Sequence, residues 1–190
     1  MKLKFRLSGR GGQGIKFLGS ALVRVAMEAQ FYATLSVDYT PSVRGGPIFC
    51  DVILSSEEIS YPFCDEDADI FIALDQEGFE RASECICEKT ISFIDSNTIN
   101  KIAEKVIQKG IIHRVPLTKY ADDNHVAKTV NLLSLGFLSE YLSENGKIDL
   151  KKEHYFQVFN KMPERFRDIN IRSFQIGKTL YKESSHNFKS

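Results

Sequence analysis

No run of about 18 apolar residues occurs in this 190-residue chain, so the sequence predicts no membrane-spanning helix. Charge of one sign is also missing. Twenty-five Lys and Arg stand against 25 Asp and Glu, which removes the basic footprint of a nucleic-acid binder and any acidic tail. Four cysteines, at 50, 64, 85 and 87, are too few and too irregularly spaced for a disulfide framework. No CxxCxxC run is present to hold an iron–sulfur cluster, and no HExxH or paired CxxC points to zinc. The start MKLKFRLSG has no apolar signal-peptide core, so the expected compartment is the reducing cytoplasm. Trp is absent while Phe, at 14, is abundant. Small molecules and protein partners are left as ligands, and the chain's own side chains carry no evident redox or metal chemistry.

The length sits at the upper end of what one hydrophobic core supports, which predicts one domain over residues 1–182 and a polar, frayed tail over 183–190. Residues 2–7 alternate, with Leu3, Phe5 and Leu7 against Lys2, Lys4 and Arg6, the period of a strand. From Ile15, apolar residues recur at Leu18, Leu22, Val25 and Ala29, a helical stripe made to pack on a sheet. Strands are expected at 32–37 and 48–54, and the ten residues between them are too few for a parallel crossover, so this pair reads as antiparallel or separated. IFIAL at 70–74 is a continuous apolar run, the expected sheet centre. A helix at 76–87, a strand at 90–94, a helix at 97–109 stopped by Gly110, and a strand at 111–115 then alternate. A helix at 125–144, the Asn145–Gly146 break and two shorter helical stretches complete an α/β chain whose last third covers the sheet.

Between the first strand and the first helix lies SGRGGQG, in which Gly9, Gly11 and Gly14 satisfy GxGxxG. In that position glycines let the backbone turn tightly and approach a ligand, and the helix N-terminus offers free N–H groups and a positive dipole end to phosphate. Arg10, Gly12 and Gln13 complete the loop, and no Gly-Lys-Ser/Thr follows to make it a P-loop. A second stretch, Thr40-Pro41-Ser42-Val43-Arg44-Gly45-Gly46-Pro47, has stiff ends, permissive glycines and the planar fork of Arg44. If the first two strands are neighbours, the two loops form an anion cradle with Arg10 and Arg44 at its rim; the alternative is a pair of tight turns that bind nothing.

SGRGGQG, VRGG, ADIFIALD, VNLLSLGFL and the stretch 170–177 run in order over roughly residues 3 to 180. Together they make the chain resemble the gamma subunit of 2-oxoacid:acceptor (ferredoxin) oxidoreductases, and DYTPSVRGG is most similar to the 2-oxoglutarate type. Pro47-Ile48-Phe49-Cys50-Asp51 departs from the small residues and arginine often found after RGG, so contacts of that stretch do not carry over. The resemblance implies a three-layer α/β/α fold with a mixed, mostly parallel sheet, like the gamma domain of pyruvate:ferredoxin oxidoreductase. It also implies an enzyme that converts a 2-oxoacid and coenzyme A into acyl-CoA and carbon dioxide, passing two electrons to ferredoxin, flavodoxin or a similar acceptor. Thiamine diphosphate and magnesium are then expected between alpha and beta subunits, iron–sulfur clusters in beta and ferredoxin-like delta subunits, and coenzyme A at the glycine loops of this non-catalytic chain. For 2-oxoglutarate the product is succinyl-CoA.

The rival reading is a stand-alone Rossmann-like NAD(P) enzyme, with Asp38 at the end of the second strand as the ribose-binding acid. A third makes both loops subunit contacts. Other residues have plainer readings. Cys85-Ile86-Cys87 is expected on a helix surface, His113 as a packed or edge histidine, and Asp65-Glu66-Asp67 as a solvated turn rather than a metal site. His125, His154 and His186 are scattered without ligand spacing, and Phe156, Phe159 and Phe166 around Pro163 are candidates for a partner surface.

Overall fold

The alternating start of the chain becomes β1 (Lys2–Arg10), a strand longer than its pattern and buried along most of its length. Two of its charged positions go inside with a partner: Lys4 Nζ lies 2.5 Å from Asp67, and Arg6 donates to Asp51. The computed structural model describes residues 1–39, 45–64 and 67–188. After β1 come α1 (Ile15–Glu28), β2 (Tyr32–Tyr39), β3 (Pro47–Ser55), β4 (Ile70–Ala73), α2 (Gln76–Ala82), β5 (Ile91–Asp95), α3 (Glu104–Ile107) and β6 (Ile111–Val115). The chain then runs through α4 (Leu117–Asp123), α5 (Val130–Glu144), α6 (Lys152–Asn160) and α7 (Glu164–Ser184).

The strands form one sheet in the order β2-β3-β1-β4-β5-β6. β3 pairs antiparallel with both β2 and β1, while β1, β4, β5 and β6 pair in parallel, so β3 alone runs against the rest. The sheet is mixed and mostly parallel, and the 32–37 and 48–54 segments are antiparallel neighbours as their short connection requires. Helices cover both faces. Ile70 and Ile72 of β4 join a large core with α1, α5, α6 and α7, whereas Phe71 and Ala73 join a second core with Phe79 of α2 and Val106 of α3. IFIAL is therefore apolar throughout because neither face meets water.

α5 is buried at nearly every position, since it lies between the sheet and α7. The two helices touch through backbone. A Cβ on Gly136 would stand 1.9 Å from the Phe174 carbonyl oxygen, and one on Gly177 would stand 1.8 Å from that of Leu133.

Several expected boundaries move. The 97–109 helix shrinks to Glu104–Ile107 because the amides of Asn100 and Lys101 donate to the Gln76 side chain, at 2.9 and 3.0 Å, and Thr98 is held by Asp95. Ile99, Ile102 and Val106 still reach the second core, so helical spacing is satisfied without a helix. The single helix expected at 125–144 is preceded by a separate α4, whose Leu117 and Ala121 are buried one turn apart. The last of the two shorter stretches is in fact the longest helix, 21 residues, started by Pro163. The tail expected to fray from 183 on continues as helix to Ser184 and as a 3-10 turn to Phe188, whose ring lies 4.6 Å from that of His113. Among the described residues no helix is long and apolar enough to cross a membrane.

Candidate functional site

β3 enters the sheet opposite the end of β1, with Pro47 facing Arg10. This antiparallel register brings the two glycine stretches together even though β3 separates β1 from β2. The Gly11 N–H donates to the Gly46 carbonyl at 3.0 Å, and a Cβ on Gly11 would meet the Gly45 Cα at 3.1 Å. The condition that strands one and two be neighbours fails, yet the loops adjoin.

Gln13 shapes the first loop. Its N–H closes a turn on the Arg10 carbonyl at 3.0 Å, its Oε1 accepts from the Arg10 N–H at 2.6 Å, and its Nε2 donates to the Leu74 carbonyl at 3.1 Å. The amide thus ties the loop to the end of β4. Gly9 has to be small for this, because a Cβ there would stand 2.7 Å from Gln13 Oε1. Gly12 and Gly14 adopt φ of +101° and +75°, the left-handed region that other residues avoid. Asn131 of α5 closes over Gly14, its Nδ2 3.4 Å from the Gly14 carbonyl.

Gly14 is also the N-cap of α1. It supplies no side-chain cap, and the first turn holds no acidic residue, so the N–H groups there keep their positive end open to an anion. No atom lies within 4 Å of where a Cβ on Gly12 or Gly45 would sit. Beside this free space runs an open groove of about 440 Å³ lined by Gly12, Gly14, Ile15, Lys16, Phe17, Ser20 and Ile48. Lys16 and Phe17 are exposed, one a cation and the other an aromatic face.

The groove lies at the carboxyl end of β1. There the chain leaves through α1 toward β2, while β4 leaves through α2 toward β5, the divergence at which α/β sheets open a ligand crevice. Arg10 reaches over that end with a largely exposed side chain, its Nε 3.6 Å from buried Asp75, which caps α2 by accepting from the Gly78 N–H at 2.8 Å. Gly9, Arg10, Gly11, Gly12, Gln13, Gly14, Gly45 and Gly46 therefore lie together. Arg44 lies outside the described residues. Lys16, Phe17, Ile48, Asp75 and Asn131 are additions that sequence reasoning missed; only Phe17 carried a signal, as an aromatic on the polar side of the α1 stripe.

The structure corrects several other expectations. Asp38 is exposed on edge strand β2, with β3 between it and β1, so it cannot serve the glycine loop as a ribose-binding acid. Cys85 and Ile86 are buried in the second core rather than on a helix surface. Burial pushes the thiols of Cys50 and Cys85 up to about 12 and that of Cys64 higher still, so all three stay protonated at neutral pH. His113 is both packed and on edge strand β6. Of the acidic triplet only Asp67 is described, and it pairs with Lys4. Phe159 is fully buried, Phe156 half-buried, and Phe166 exposed. Among the described residues no group of three or more His, Cys, Asp or Glu converges as metal ligands do.

The fold is shared with solved proteins. A chain of the 2-oxoglutarate:ferredoxin oxidoreductase from Magnetococcus marinus, solved with 2-oxoglutarate, coenzyme A and succinyl-CoA, superposes with a TM-score of 0.80 at 22% identity; the match covers 96% of this chain and 31% of that one. The gamma subunit of a keto/oxoacid ferredoxin oxidoreductase from Geobacter sulfurreducens gives 0.78 at 24% identity, over 96% and 98% of the two chains. In sequence, the chain is 27% identical to 2-oxoglutarate synthase subunit KorC of Methanothermobacter marburgensis, over 96% of this chain and 98% of the relative. The KorC subunit of Methanocaldococcus jannaschii is 26% identical, with 96% of each covered. The model of the pyruvate ferredoxin/flavodoxin oxidoreductase family matches residues 4–180, nearly the whole chain, and the chain belongs to that family.

Proposed function

We propose that this chain is the gamma subunit of a 2-oxoglutarate:acceptor oxidoreductase and that its paired glycine stretches hold the diphosphate of coenzyme A. One observation carries the reading: the Gly11 to Gly46 hydrogen bond sets two glycine stretches side by side at an uncapped helix N-terminus, next to an open groove. The diphosphate meets the free N–H groups around Gly12 and Gly14, Lys16 and Arg10 supply charge, and Phe17 and Ile48 offer apolar surface to the rest of the ligand. Arg44 adds a second guanidinium from the other stretch. The likeness to 2-oxoglutarate synthase subunits supports the substrate, and the coenzyme A bound in the Magnetococcus enzyme supports the ligand.

In this reading coenzyme A, when bound, supplies the thiol that receives the acyl group, and the chain's residues orient it without touching the reacting carbonyl. Thiamine diphosphate, magnesium and iron–sulfur clusters belong to alpha, beta and ferredoxin-like delta partners, and ferredoxin or flavodoxin takes the electrons. The assembly works in the cytoplasm.

Calorimetric titration of the full chain tests the ligand. Coenzyme A is expected to bind and NADH not to, and Lys16→Glu, at an exposed position, to weaken coenzyme A by about tenfold or more through loss of a charge-assisted contact. Binding of NADH without coenzyme A, or equal coenzyme A affinity in Lys16→Glu, overturns the assignment.

A further inference from the structure

Phe17 borders two depressions of the surface. One is the groove beside the glycine cradle; the other, of about 160 Å³, is bounded by α1, the 128–132 stretch and the 162–170 stretch. Sites that enclose a whole small molecule run to ~300–1,000 Å³, so the smaller depression has room for one end of a ligand. Asn131, which closes over Gly14, forms part of its wall, so it abuts the cradle.

The wall combines two exposed rings with two buried amides. Phe17 is 43% exposed and Phe166 46%, and both line the depression. Two rings left open in one place form an apolar patch of the kind that marks a binding site, not scattered exposure. Arg165 lies over the Phe166 ring, its guanidinium 4.6 Å from the centroid. Asn131 and Asn170 are each only 8% exposed. Their Nδ2 groups are engaged, with the Gly14 carbonyl at 3.4 Å and with Met162 Sδ at 3.2 Å. Neither Oδ1 has a partner among the described residues, yet neither is among the unpaired side-chain atoms sealed from solvent. Two amide acceptors on buried residues therefore open outward, and the depression is the surface that both residues line.

Unpaired acceptors select a ligand that donates, and flanking rings select a flat one. Adenine meets both conditions: it stacks on aromatic side chains, and its exocyclic amine donates to an asparagine amide oxygen. Charge points the same way. Lys128 is the charged residue of the lining, exposed and without a carboxylate partner among the described residues. A coenzyme A molecule carries its 3′-phosphate on the ribose next to the adenine.

We propose that the adenine of coenzyme A stacks against Phe17 and Phe166, its amine donating to the amide oxygens of Asn131 and Asn170, with the 3′-phosphate at Lys128. This rests on the coenzyme A reading of the glycine cradle and gives the ligand a direction. The nucleotide end lies on the α5 and α7 side of Phe17, and the pantetheine arm runs into the larger groove past Ser20 and Ile48.

The test compares coenzyme A with its deamino analogue, in which hypoxanthine replaces adenine and a carbonyl stands in place of the amine, by calorimetric titration of the full chain. The native chain should bind the analogue about tenfold or more weakly, since its carbonyl meets the two acceptors. Phe166→Ala, at an exposed position, should weaken coenzyme A by about tenfold or more, as loss of a stacked base does. Phe166→Trp should keep the affinity. The chain has no other tryptophan, so the new indole should be quenched by coenzyme A and not by 4′-phosphopantetheine, which lacks the base. Equal affinity for the deamino analogue, unchanged affinity in Phe166→Ala, or equal quenching by 4′-phosphopantetheine overturns the base site. If coenzyme A still binds the native chain and not Lys16→Glu, the cradle reading survives that result; if the native chain binds no coenzyme A, both fall.

Discussion

Replacing Asp51 by Asn should cost this fold more than removing Asp51 and its partner together. Asp51 on β3 stands opposite Arg6 on β1, and Arg6 donates through Nε at 2.5 Å and Nη2 at 3.1 Å to the two carboxylate oxygens. The same Nη2 reaches the Cys64 carbonyl at 2.7 Å, and the Cys64 N–H donates back to Asp51 at 2.9 Å, so the pair clasps the strand connection to the sheet centre. Both side chains are less than a tenth exposed. Burial alone would make Arg6 a weaker base, but hydrogen bonds and charge from Asp51 more than offset it and raise its pKa. Breaking one side of a buried pair leaves the other charge uncompensated, a loss of about 3–5 kcal/mol. Against a total stability of ~5–15 kcal/mol that is a third or more. With a urea slope of ~2 kcal/mol/M, the midpoint should fall by about 2 M in Asp51→Asn. In Arg6→Met/Asp51→Leu no charge is left buried; the Cys64 N–H loses its acceptor, at a cost of about 1–3 kcal/mol, and the Cys64 carbonyl loses its Arg6 donor, at a smaller one. Urea unfolding of both variants decides the matter: a single variant that loses under about 1 kcal/mol, or a double variant that loses more than the single, refutes the reasoning.

Three further outcomes follow from contacts of the same kind. Gly177→Ala places a methyl 1.8 Å from a backbone oxygen that cannot swing aside, so overpacking of ~1–3 kcal/mol should exceed the ~1 kcal/mol gained in helix propensity and lower Tm by several degrees; an unchanged Tm contradicts the backbone contact of α5 and α7. Gln13→Ala removes the acceptor of the Arg10 N–H and the donor to Leu74, so exchange of the Arg10 amide should speed up while amides in the α7 core keep their protection. Burial against Phe93 and Phe188 holds His113 below its ordinary value of 6.5. The unfolded chain then binds more protons as pH falls through 6.5, so stability present above that value declines toward the folded-state pKa. His113→Phe should flatten the acid side of the urea-midpoint profile, and an identical profile would show that the ring is not desolvated.

The glycine site was legible because it is local: SGRGGQG sits between a period-two and a period-3.6 segment, and that order alone predicts strand, loop and helix. What lies across the sheet was not. Asn131 closes over Gly14 from 117 residues away, and nothing in either segment announces the contact. Lys4 and Arg6 read only as the charged side of a strand, because alternation shows which residues share a side, not whether that side is covered; their carboxylate partners arrive from Asp67 and Asp51. The 97–109 helix failed for a related reason. Apolar spacing fits a helix or any loop that drops Ile99, Ile102 and Val106 into one core, and the Gln76 side chain that captures the loop amides is distant in sequence. Cys85 was assigned to a surface because the second core beneath α2 is built from β3, β4 and β5 together, an arrangement visible only once the strands are ordered.

The central claim, that the paired glycine stretches serve coenzyme A within a larger oxidoreductase, is tested most directly by steady-state kinetics. The complex would be purified through a tag on this chain, and 2-oxoglutarate-dependent acceptor reduction measured against coenzyme A for the native complex and for Lys16→Glu. The account predicts a KM for coenzyme A raised by about tenfold or more with the KM for 2-oxoglutarate unchanged. A variant whose KM for coenzyme A is unaltered, or whose defect appears only against 2-oxoglutarate, contradicts it.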